Sequence, residues 1–563
     1  MQITDQITEL LTKKVSPDLE RRQIQAMIER PKQIENGDFS FPVFQLAKIR
    51  HQNPAEIAQN LAAEIQDPLF EKVEAKGPYL NFFLNRKDAS SELFSQIDQA
   101  LGDYGFNNDG QDKEVVIDMS SPNIAKPMSM GHLRSTVIGN TLSNLAKANG
   151  YHVDKVNHLG DWGTQFGLMI AAYKMWGDKP IQDYSIDELV KLYVRINQAA
   201  KEDESVADEG RRWFKMLEDG DQEALDLWKI ISESSLKEFT DIYERLEIDF
   251  DAYTGESFYN DKMDAVIDLL KDKNLITVSQ GAEIVDLPTL LPDSNLPIAM
   301  IRRSDGATLY MTRDLATAIY RKDHYHFDQS LYVVGAEQRE HFAQLKAILK
   351  LAGFAWSDEM EHVSFGLITF NGSKMSSRKG NVVPLVDVLN SASQLALEQI
   401  EQKNPDLSNK KEVAEAVGVG AVIFNDLEND RNLTIDFDIN EIVRFEGDTG
   451  PYVQYANARI HSILRKAGSF NLEGGLSDDQ SWEVVSKMLD YPNIVKRAFD
   501  QRDPSIVAKY LLSLSRQFNS YYANTKILVE DDGLNARLTL IKSVSTILES
   551  GLALLGVKAP QEM

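Results

Sequence analysis

Gly131 and His132 stand where a predicted strand passes into a predicted helix. Residues 114–119 form a short apolar run that is typical of a buried parallel strand, and apolar residues recur at helical spacing within residues 133–145. Glycine lets a phosphate approach the backbone, the amides of a helix N-terminus attract it, and His132 can donate one more hydrogen bond. The pair indicates phosphate binding, although by itself it is also typical of a histidine that only caps a helix.

Lys374 and Lys379 lie in a short basic loop that could close over a triphosphate. The loop follows the apolar run 363–368. Its ammonium groups could follow the charge that develops on an α-phosphate and on a leaving pyrophosphate. A basic loop alone is more often a solvated turn. The chain has no Gly-x-x-x-x-Gly-Lys-Ser/Thr sequence, which argues against a P-loop ATPase.

Carboxylates at three places could accept a planar cation with several donors, such as a guanidinium. They are Asp118 at the end of the first predicted strand, Glu256 and Asp314. The spacing from Tyr310 to Asp314 is helical, so the phenol and the carboxylate can project from one face. Structural carboxylates are far commoner than ligands, so each of the three taken alone is more typical of a surface or capping residue.

The sequence around these residues resembles the arginyl-tRNA synthetases, a class I family, over nearly the whole chain. The matching runs are Ser120-Ser121-Pro122-Asn123-Ile124-Ala125-Lys126-Pro127, Gly131-His132-Leu133-Arg134-Ser135-Thr136 and His158-Leu159-Gly160-Asp161-Trp162-Gly163-Thr164-Gln165-Phe166-Gly167. His132 ends the family's "HIGH" signature, whose first histidine is Ser129 here. The lysine loop is similar to the "KMSKS" signature. Ser377 occupies the second lysine position of that signature, and either Arg378 or Lys379 could take its role.

This resemblance implies a role for each candidate residue. His132, Lys374 and Lys379 would be catalytic. The residues that contact ATP would be Gly131, His132, Lys374, Met375 and Ser376. The substrate arginine would be bound at its side chain by Glu256, Tyr310 and Asp314, and at its amino-acid head by Asp118, Asn123 and Gln338.

The reaction that the resemblance implies is arginine–tRNA ligation. Arginine and ATP would form arginyl-adenylate and pyrophosphate, and the arginyl group would then pass to the 2′ hydroxyl of the 3′-terminal ribose of tRNA(Arg). Mg²⁺ would accompany ATP without a dedicated protein metal site. The family also implies that tRNA is needed for efficient activation of arginine, and that the enzyme is a monomer.

The order of predicted elements indicates an α/β protein with a Rossmann-type parallel sheet. A strand, a helix and a second strand at residues 155–159 normally form a right-handed parallel unit. We predict a small α+β N-terminal domain at 1–108, which in this family contacts the corner of the tRNA. We then predict a catalytic domain at 109–390 with a helical insertion at about 170–249, a helical connecting region at 391–444, and an all-α anticodon-binding domain at 445–563. Apolar residues at helical spacing in 414–424 and 439–465 predict helices there.

Composition narrows the class of protein. Of 563 residues, 43% are hydrophobic and 26% are charged, which is typical of a folded soluble protein of several domains. The net charge of −26 argues against a generally basic nucleic-acid coat, so RNA must meet local basic faces. The absence of cysteine excludes disulfides. Residues 1–5 do not resemble a signal peptide, and the longest apolar run, 416–424, is too short for a membrane span. We expect a cytoplasmic protein that does not enter a membrane.

Two other classes of function share part of this pattern. A small nucleotidylyltransferase would also have a Gly-His helix start, but it would not need a helical RNA-binding domain of this size. A catalytically silent RNA-binding relative would be expected to lack His132 or the lysine loop, and both are present. The ligase is therefore the interpretation that uses all of the motifs.

Overall fold

The computed structural model of the chain describes residues 3–31, 33–370, 373–374 and 383–563. For Ile34, Asp187, Phe370, Ser373 and Lys374 it describes the backbone only. The chain divides into two compact units. The first consists of Met1–Tyr104, Ile460–Tyr491 and Arg516–Ile547, and the second consists of Gly105–Arg459, Pro492–Ser515 and Leu548–Met563.

The N-terminal part of the first unit is a small α+β fold, as the sequence predicts. Its elements are, in chain order, α1 (Ile3–Val15), α2 (Arg21–Met27), β1 (Phe39–Pro42), α3 (Phe44–Arg50), α4 (Pro54–Glu64), β2 (Phe70–Lys76), β3 (Tyr79–Leu84) and α5 (Arg86–Gln99). The strands form an antiparallel sheet in the order β1-β3-β2. Within the same unit, Asp38 accepts a hydrogen bond from Trp482 Nε1 at 2.7 Å, so residues 460–491 pack beside this sheet.

The second unit begins with alternating strands and helices. In chain order they are β4 (Glu114–Asp118), α6 (Met130–Ala148), β5 (His152–Asn157), α7 (Thr164–Trp176), α8 (Ile186–Glu202), α9 (Glu204–Glu218), α10 (Gln222–Leu246), β6 (Ala252–Tyr253), α11 (Met263–Asp272), β7 (Thr277–Ser279), β8 (Ala282–Val285), α12 (Leu287–Leu290), β9 (Ala299–Arg302), α13 (Tyr310–Tyr325), β10 (Gln329–Gly335), α14 (Arg339–Leu351), β11 (Met360–Phe365), β12 (Ile368–Phe370) and β13 (Ser373–Lys374). The strand, helix and strand around His132 are confirmed, although β5 begins and ends earlier than predicted.

Five parallel strands form the central sheet in the order β11-β10-β4-β5-β6. The chain runs outward from β4 through β5 to β6 and then returns to the other side of β4, which is the strand order of a Rossmann sheet. Buried apolar residues such as Val116, Leu315 and Leu345 fill the space between the sheet and the helices α11, α13 and α14. The strand order reverses between β4 and β10, so a crevice opens at their carboxyl ends, where ligands bind in such folds.

From residue 383 onward, where every residue is described, the regular elements are helices and one short strand. They are α15 (Leu385–Lys403), α16 (Lys410–Leu427), β14 (Ile435–Phe437), α17 (Ile439–Ile442), α18 (Gly450–Ala467), α19 (Asp479–Met488), α20 (Tyr491–Asp500), α21 (Ser505–Asn524) and α22 (Leu534–Leu554). The apolar run 439–465 is two helices, because Gly447 turns the chain with a φ of +85° between α17 and α18. Among the described helices, none combines the length and the apolar character that crossing a membrane requires.

Candidate active site

Five of the residues predicted to do chemistry lie along one edge of the sheet. Asp118 ends β4, Glu256 follows β6 and Gln338 follows β10, so all three lie at the carboxyl ends of parallel strands. The helices α6 and α13 begin at the same edge, because each leads by a short turn into the amino end of a parallel strand, β5 or β10, and therefore runs back along the sheet from its carboxyl edge. Their first turns carry His132 and Tyr310. The topology therefore brings these five residues to one crevice.

The loop between β4 and α6 has an unusual backbone conformation. Ser120, Ser121 and Ala125 have φ values of 70°, 50° and 63°, in the left-handed region that residues with side chains rarely adopt. The Ser120 amide donates to Ser135 Oγ at 2.9 Å, and the Ala125 amide donates to Ser235 Oγ at 3.0 Å. Such strain persists only where neighbouring groups impose it, and it clusters at functional sites.

The helical insertion supports this loop, a role that its sequence alone does not predict. On α10, the hydroxyl of Tyr243 lies 2.7 Å from Ser120 Oγ and accepts a hydrogen bond from Asn157 at 3.0 Å. Ser235, which holds Ala125, lies two turns earlier on the same helix. The sequence contains one signal for these contacts, because polar residues occupy positions on the apolar, buried face of α10.

His132 is held by the first turn of α6. The Ser129 amide donates to Nδ1 of His132 at 3.0 Å, and Ser129 Oγ lies 3.1 Å from the same atom. An amide N–H can only donate, so Nδ1 is the acceptor and the neutral ring carries its proton on Nε2. Burial lowers the pKa of His132 to about 4, and the nearby charge of Lys126 adds to the shift. His132 is therefore a neutral imidazole whose Nε2–H can donate to a ligand.

Ser129, at the position of the signature's first histidine, is the N-cap residue of α6. Its amide makes the contact with His132, and any residue except proline would supply that amide. A Cβ added to Gly131 would meet only Ser129 Oγ at 3.5 Å, an ordinary contact. Glycine at this position therefore leaves open space at the start of α6. Among the described residues, a larger side chain here would meet no steric clash at its Cβ.

The segment after the lysine loop is bonded to the loop that precedes His132. The Met130 amide donates to the Val383 carbonyl at 3.3 Å, and the Leu385 amide donates to the Met128 carbonyl at 2.9 Å. At the other end of the lysine loop, β13 pairs with β12, which pairs with β14. The chain therefore returns from the lysine loop directly beside the start of α6.

Most of the lysine loop lies outside the described residues. The backbone of Lys374 lies in β13, where it pairs with Thr369. Met375, Ser376 and Lys379 lie outside the described residues. The contacts of these side chains with ATP stay predictions.

Glu256, Tyr310 and Asp314 form a group in which the charge of Asp314 acts on the other two residues. Tyr310 is 63% exposed, and the partial burial of its hydroxyl raises its pKa, to which the charges of Glu256 and Asp314 add. Burial also raises the pKa of Glu256 to about 7. Arg313, whose Nη1 lies 3.8 Å from the Glu256 carboxylate, opposes that shift, and Asp314 adds to it. A phenol and two carboxylates in this arrangement suit a cation with several donors.

Asp161 fixes the position of Glu256. Its two carboxylate oxygens accept hydrogen bonds from the Ser257 amide at 2.8 Å and from Ser257 Oγ at 2.6 Å. The Glu256 amide in turn donates to the Leu159 carbonyl at 2.9 Å. The run that follows β5 therefore clamps the backbone on which Glu256 sits. Asp161 belongs to one of the runs that resemble the family, but its sequence context alone predicts no role for it.

Asp118 is engaged by other residues of the protein. Its Oδ2 accepts a hydrogen bond from Nη1 of the buried Arg321 at 2.8 Å, and its Oδ1 accepts one from Ser121 Oγ at 2.9 Å. The nearby His158 is half-buried, and its Nδ1 lies 3.0 Å from the Thr254 carbonyl, to which it donates. Asp118 thus helps to shape the crevice, and its contact with a substrate amino group stays a prediction.

Asn123 and Gln338 lie at the same edge of the sheet. Asn123 forms a parallel bridge with Gly160, and a Cβ on Gly160 would come within 2.5 Å of the Asn123 side-chain oxygen. Glycine at that position therefore permits the close approach of Asn123. Gln338 is the N-cap residue of α14. Their contacts with an amino-acid head stay predictions.

One group of possible metal ligands lies away from the crevice among the described residues. Glu114, His152 and Asp154 offer ligand atoms within 4.8 Å of one another at the amino ends of β4 and β5. His152 Nδ1 lies 2.6 Å from a Glu114 oxygen, so an ordinary ion pair accounts for much of this geometry. The group lies at the edge of the sheet opposite to His132 and takes no part in the site.

Comparisons with known proteins identify the family. The family model described as "tRNA synthetases class I (R), catalytic domain" matches residues 96–439, "Arginyl tRNA synthetase N terminal domain" matches residues 1–84, and "DALR anticodon binding domain" matches residues 453–563. The arginine–tRNA ligase of Oenococcus oeni is 58% identical over 99% of this chain and 100% of its own length. This chain belongs to the arginyl-tRNA synthetases. The arginine–tRNA ligase of Leuconostoc citreum is also 58% identical, over 98% of both chains.

Solved structures confirm the fold of this arginyl-tRNA synthetase. The arginyl-tRNA synthetase of Thermus thermophilus superposes with a TM-score of 0.84 at 25% identity, covering 100% of both chains. The methionyl-tRNA synthetase of Mycobacterium tuberculosis in complex with methionyl-adenylate shares the fold, with a TM-score of 0.50 at 14% identity over 78% of this chain and 90% of its own. The predicted Rossmann-type catalytic part, α+β N-terminal part and helical C-terminal part are therefore confirmed.

Proposed function

We propose that this arginyl-tRNA synthetase is an arginine–tRNA ligase that works in two steps. Arginine and ATP form arginyl-adenylate and pyrophosphate, and the arginyl group then passes to the 3′-terminal ribose of tRNA(Arg). The arrangement that carries the proposal is the group of Glu256, Tyr310 and Asp314, in which the charge of Asp314 acts on both other residues, at the edge of the sheet where His132 also lies. Their acidic oxygens suit the guanidinium of arginine.

In the first step, the arginine carboxylate attacks the α-phosphate in line and pyrophosphate leaves. The amides at the start of α6 and the Nε2–H of His132 stabilise negative charge on the phosphate oxygens. His132 acts as a neutral hydrogen-bond donor and not as an acid, because its lowered pKa leaves the ring without the second proton that an imidazolium would release at neutral pH. Lys374 and Lys379 accompany the charge on the departing pyrophosphate.

We assign the RNA contacts to the two ends of the chain. The N-terminal α+β part contacts the corner of the tRNA, and the C-terminal helices contact the anticodon. Support comes from the matches of residues 1–84 and 453–563 to N-terminal and anticodon-binding domain models. Because the whole chain carries a net charge of −26, we expect binding to depend on local basic faces and to weaken as salt is raised.

Mg²⁺ enters this proposal with ATP. Mg²⁺ prefers oxygen ligands and is usually held by phosphates, water and one or two carboxylates. Asp118 and Glu256, two carboxylates of the described crevice, already face arginines, which fits a metal ion held mainly by the phosphates. A monomeric enzyme in the cytoplasm completes the proposal, and the absence of cysteine is compatible with a reducing compartment.

The test of this function is pyrophosphate exchange into ATP. We expect exchange that requires both arginine and tRNA(Arg), and formation of arginyl-tRNA when pyrophosphate is left out. Lysine, which carries a point charge in place of a planar cation, should support little exchange. An enzyme that shows no arginine-dependent exchange with tRNA present would disprove the proposal.

The pH dependence of arginine binding should follow Glu256. Its carboxyl group has a pKa of about 7 because it is buried. Below that pH the protonated group must release its proton before it can accept a guanidinium, whereas above it the carboxylate is already ionised. The KM for arginine should therefore rise by up to about tenfold for each pH unit below the pKa, and it should level off above it.

The measurement is the KM for arginine in the exchange assay between about pH 6 and about pH 8.5, with the KM for ATP as the internal control. Glu256→Gln should raise the KM at high pH and flatten the profile, because an amide does not titrate in this range. A wild-type KM for arginine that stays constant across the range would contradict the assignment of Glu256 to the guanidinium.

A further inference from the structure

His341 forms a close contact with Asp314 that the roles assigned so far do not use. The imidazole Nε2 lies 2.5 Å from Asp314 Oδ2, which makes a strong charge-assisted hydrogen bond. Asp314 lies in the second turn of α13, and His341 lies in the first turn of α14. Both helices begin at the carboxyl edge of the central sheet, so the contact joins them at the crevice.

This contact contributes little to the stability of the fold. The side chains of His341 and Asp314 are 23% and 30% exposed, and partly exposed ion pairs contribute little to the free energy of unfolding. The packing of α13 and α14 against the sheet instead depends on buried apolar residues such as Leu315 and Leu345. A different role, at the mouth of the crevice, is therefore the better explanation of the pair.

The hydrogen bond fixes the orientation of the Asp314 carboxylate. Among the described residues, His341 is the one hydrogen-bond partner of Asp314, and it engages Oδ2. A carboxylate held at one oxygen keeps its other oxygen in a defined direction and can still accept a donor there. Tyr310 and Glu256 both interact electrostatically with Asp314. A cation bound at the second oxygen of Asp314 would therefore also lie near these two residues.

The ring of His341 is itself held in place. It packs edge-on against Phe342, with ring centroids 5.8 Å apart, and Phe342 stacks on His362 at 4.5 Å. At the start of α14, Gln338 is the N-cap residue, His341 contacts Asp314 and Phe342 packs against the core. The position of this turn sets the direction of the Asp314 carboxylate.

We propose that His341 is a positioning residue that orients Asp314 for the guanidinium of the substrate and thereby favours arginine over uncharged analogues. This inference rests on the proposed function, because it takes arginine as the substrate of the crevice. His341 acts through Asp314, and it need not touch the substrate.

The experiment compares His341→Phe with His341→Gln in the pyrophosphate-exchange assay with tRNA(Arg). Phenylalanine keeps a ring against Phe342 but has no donor, whereas the glutamine amide can donate near the place of Nε2. We expect His341→Phe to raise the KM for arginine roughly tenfold, as loss of a hydrogen bond to a charged group predicts, with little change in the KM for ATP. His341→Gln should recover most of the loss.

Two further readouts separate positioning from a structural role. Citrulline, in which an uncharged ureido group replaces the guanidinium, should compete relatively better in His341→Phe than in the wild-type enzyme. In an Asp314→Asn background, His341→Phe should add little further loss, because the residue through which it acts has already been changed. The melting temperature of each variant should stay close to that of the wild-type protein.

The proposal is overturned if His341→Phe exchanges with an unchanged KM for arginine, or if the KM values for arginine and ATP rise together. It is also overturned if the effects of His341→Phe and Asp314→Asn simply add. These outcomes are distinct from failure of the proposed function, in which the wild-type enzyme itself would show no arginine-dependent exchange.

Discussion

Asp314→Ala should raise the KM for arginine roughly 100-fold or more. Truncation of one partner of a close charge pair weakens binding by about 2–5 kcal/mol of free energy, since it removes the attraction and leaves the other charge poorly compensated. In this enzyme the change also leaves Glu256 as the remaining carboxylate of the group, and burial keeps part of that residue protonated at neutral pH. The KM for ATP should change little, because the proposed phosphate contacts lie at the start of α6. The measurement is arginine-dependent pyrophosphate exchange with tRNA(Arg) present.

A matched control is available on the same helix. Asp323→Ala removes an equal charge from an exposed position of α13, and it should leave the KM for arginine nearly unchanged. Asp314→Asn keeps the size of the side chain and removes its charge, so it should resemble Asp314→Ala and not the wild-type enzyme. If Asp314→Ala retained the wild-type KM and still rejected lysine, the arginine pocket proposed here would be wrong.

The fold could be predicted where local pattern and topology agree. The apolar strand β4 and the periodicity of α6 have lengths and spacings that admit few alternatives. Once that unit is parallel and right-handed, the carboxyl edge of the sheet becomes the place for a site. The run 439–465 shows the limit of this reasoning, because helical periodicity continues across Gly447 while the backbone turns there.

The site could be predicted only in part, because sequence patterns identify polar residues without identifying their partners. Arg321 lies two turns after Asp314 on α13, yet it is Asp118 that it contacts, at 2.8 Å. His341 and Asp314 are far apart in sequence and meet because α13 and α14 flank the same strand. Pairings of this kind depend on tertiary packing, which periodicity within one helix does not contain.

Ser129 illustrates a different limit. The sequence shows a departure from the signature, but the interaction that matters in the first turn of α6 is made by the Ser129 backbone amide. A side-chain comparison cannot reveal a backbone contact. The loss of an imidazole at this position is therefore compatible with an intact His132, because the Ser129 amide and Ser129 Oγ both contact its Nδ1.

His132→Ala should lower the rate of pyrophosphate exchange by about 100-fold to about 1000-fold, with a smaller effect on the KM for arginine. The Nε2–H of His132 is a fixed donor at the start of α6. In other enzymes, removing one such donor to a developing negative charge lowers the catalytic rate by a similar factor. Part of any loss could instead come from the helix cap, because Nδ1 accepts the Ser129 amide. Two variants separate these effects, with activity and melting temperature measured for each.

His132→Asn keeps an oxygen near the place of Nδ1, so it should preserve the cap and the melting temperature while activity falls nearly as far as in His132→Ala. His132→Gln extends an amide donor toward the place of Nε2, so it should recover part of the rate.

Because burial and Lys126 lower the pKa of His132 to about 4, the ring is neutral throughout the neutral range. The wild-type rate should therefore show no ionisation of His132 between about pH 6 and about pH 8.5. A rate that falls in that range in the wild-type enzyme but not in His132→Gln would show that the ring acts as an acid, in contradiction to the neutral donor inferred from its contacts.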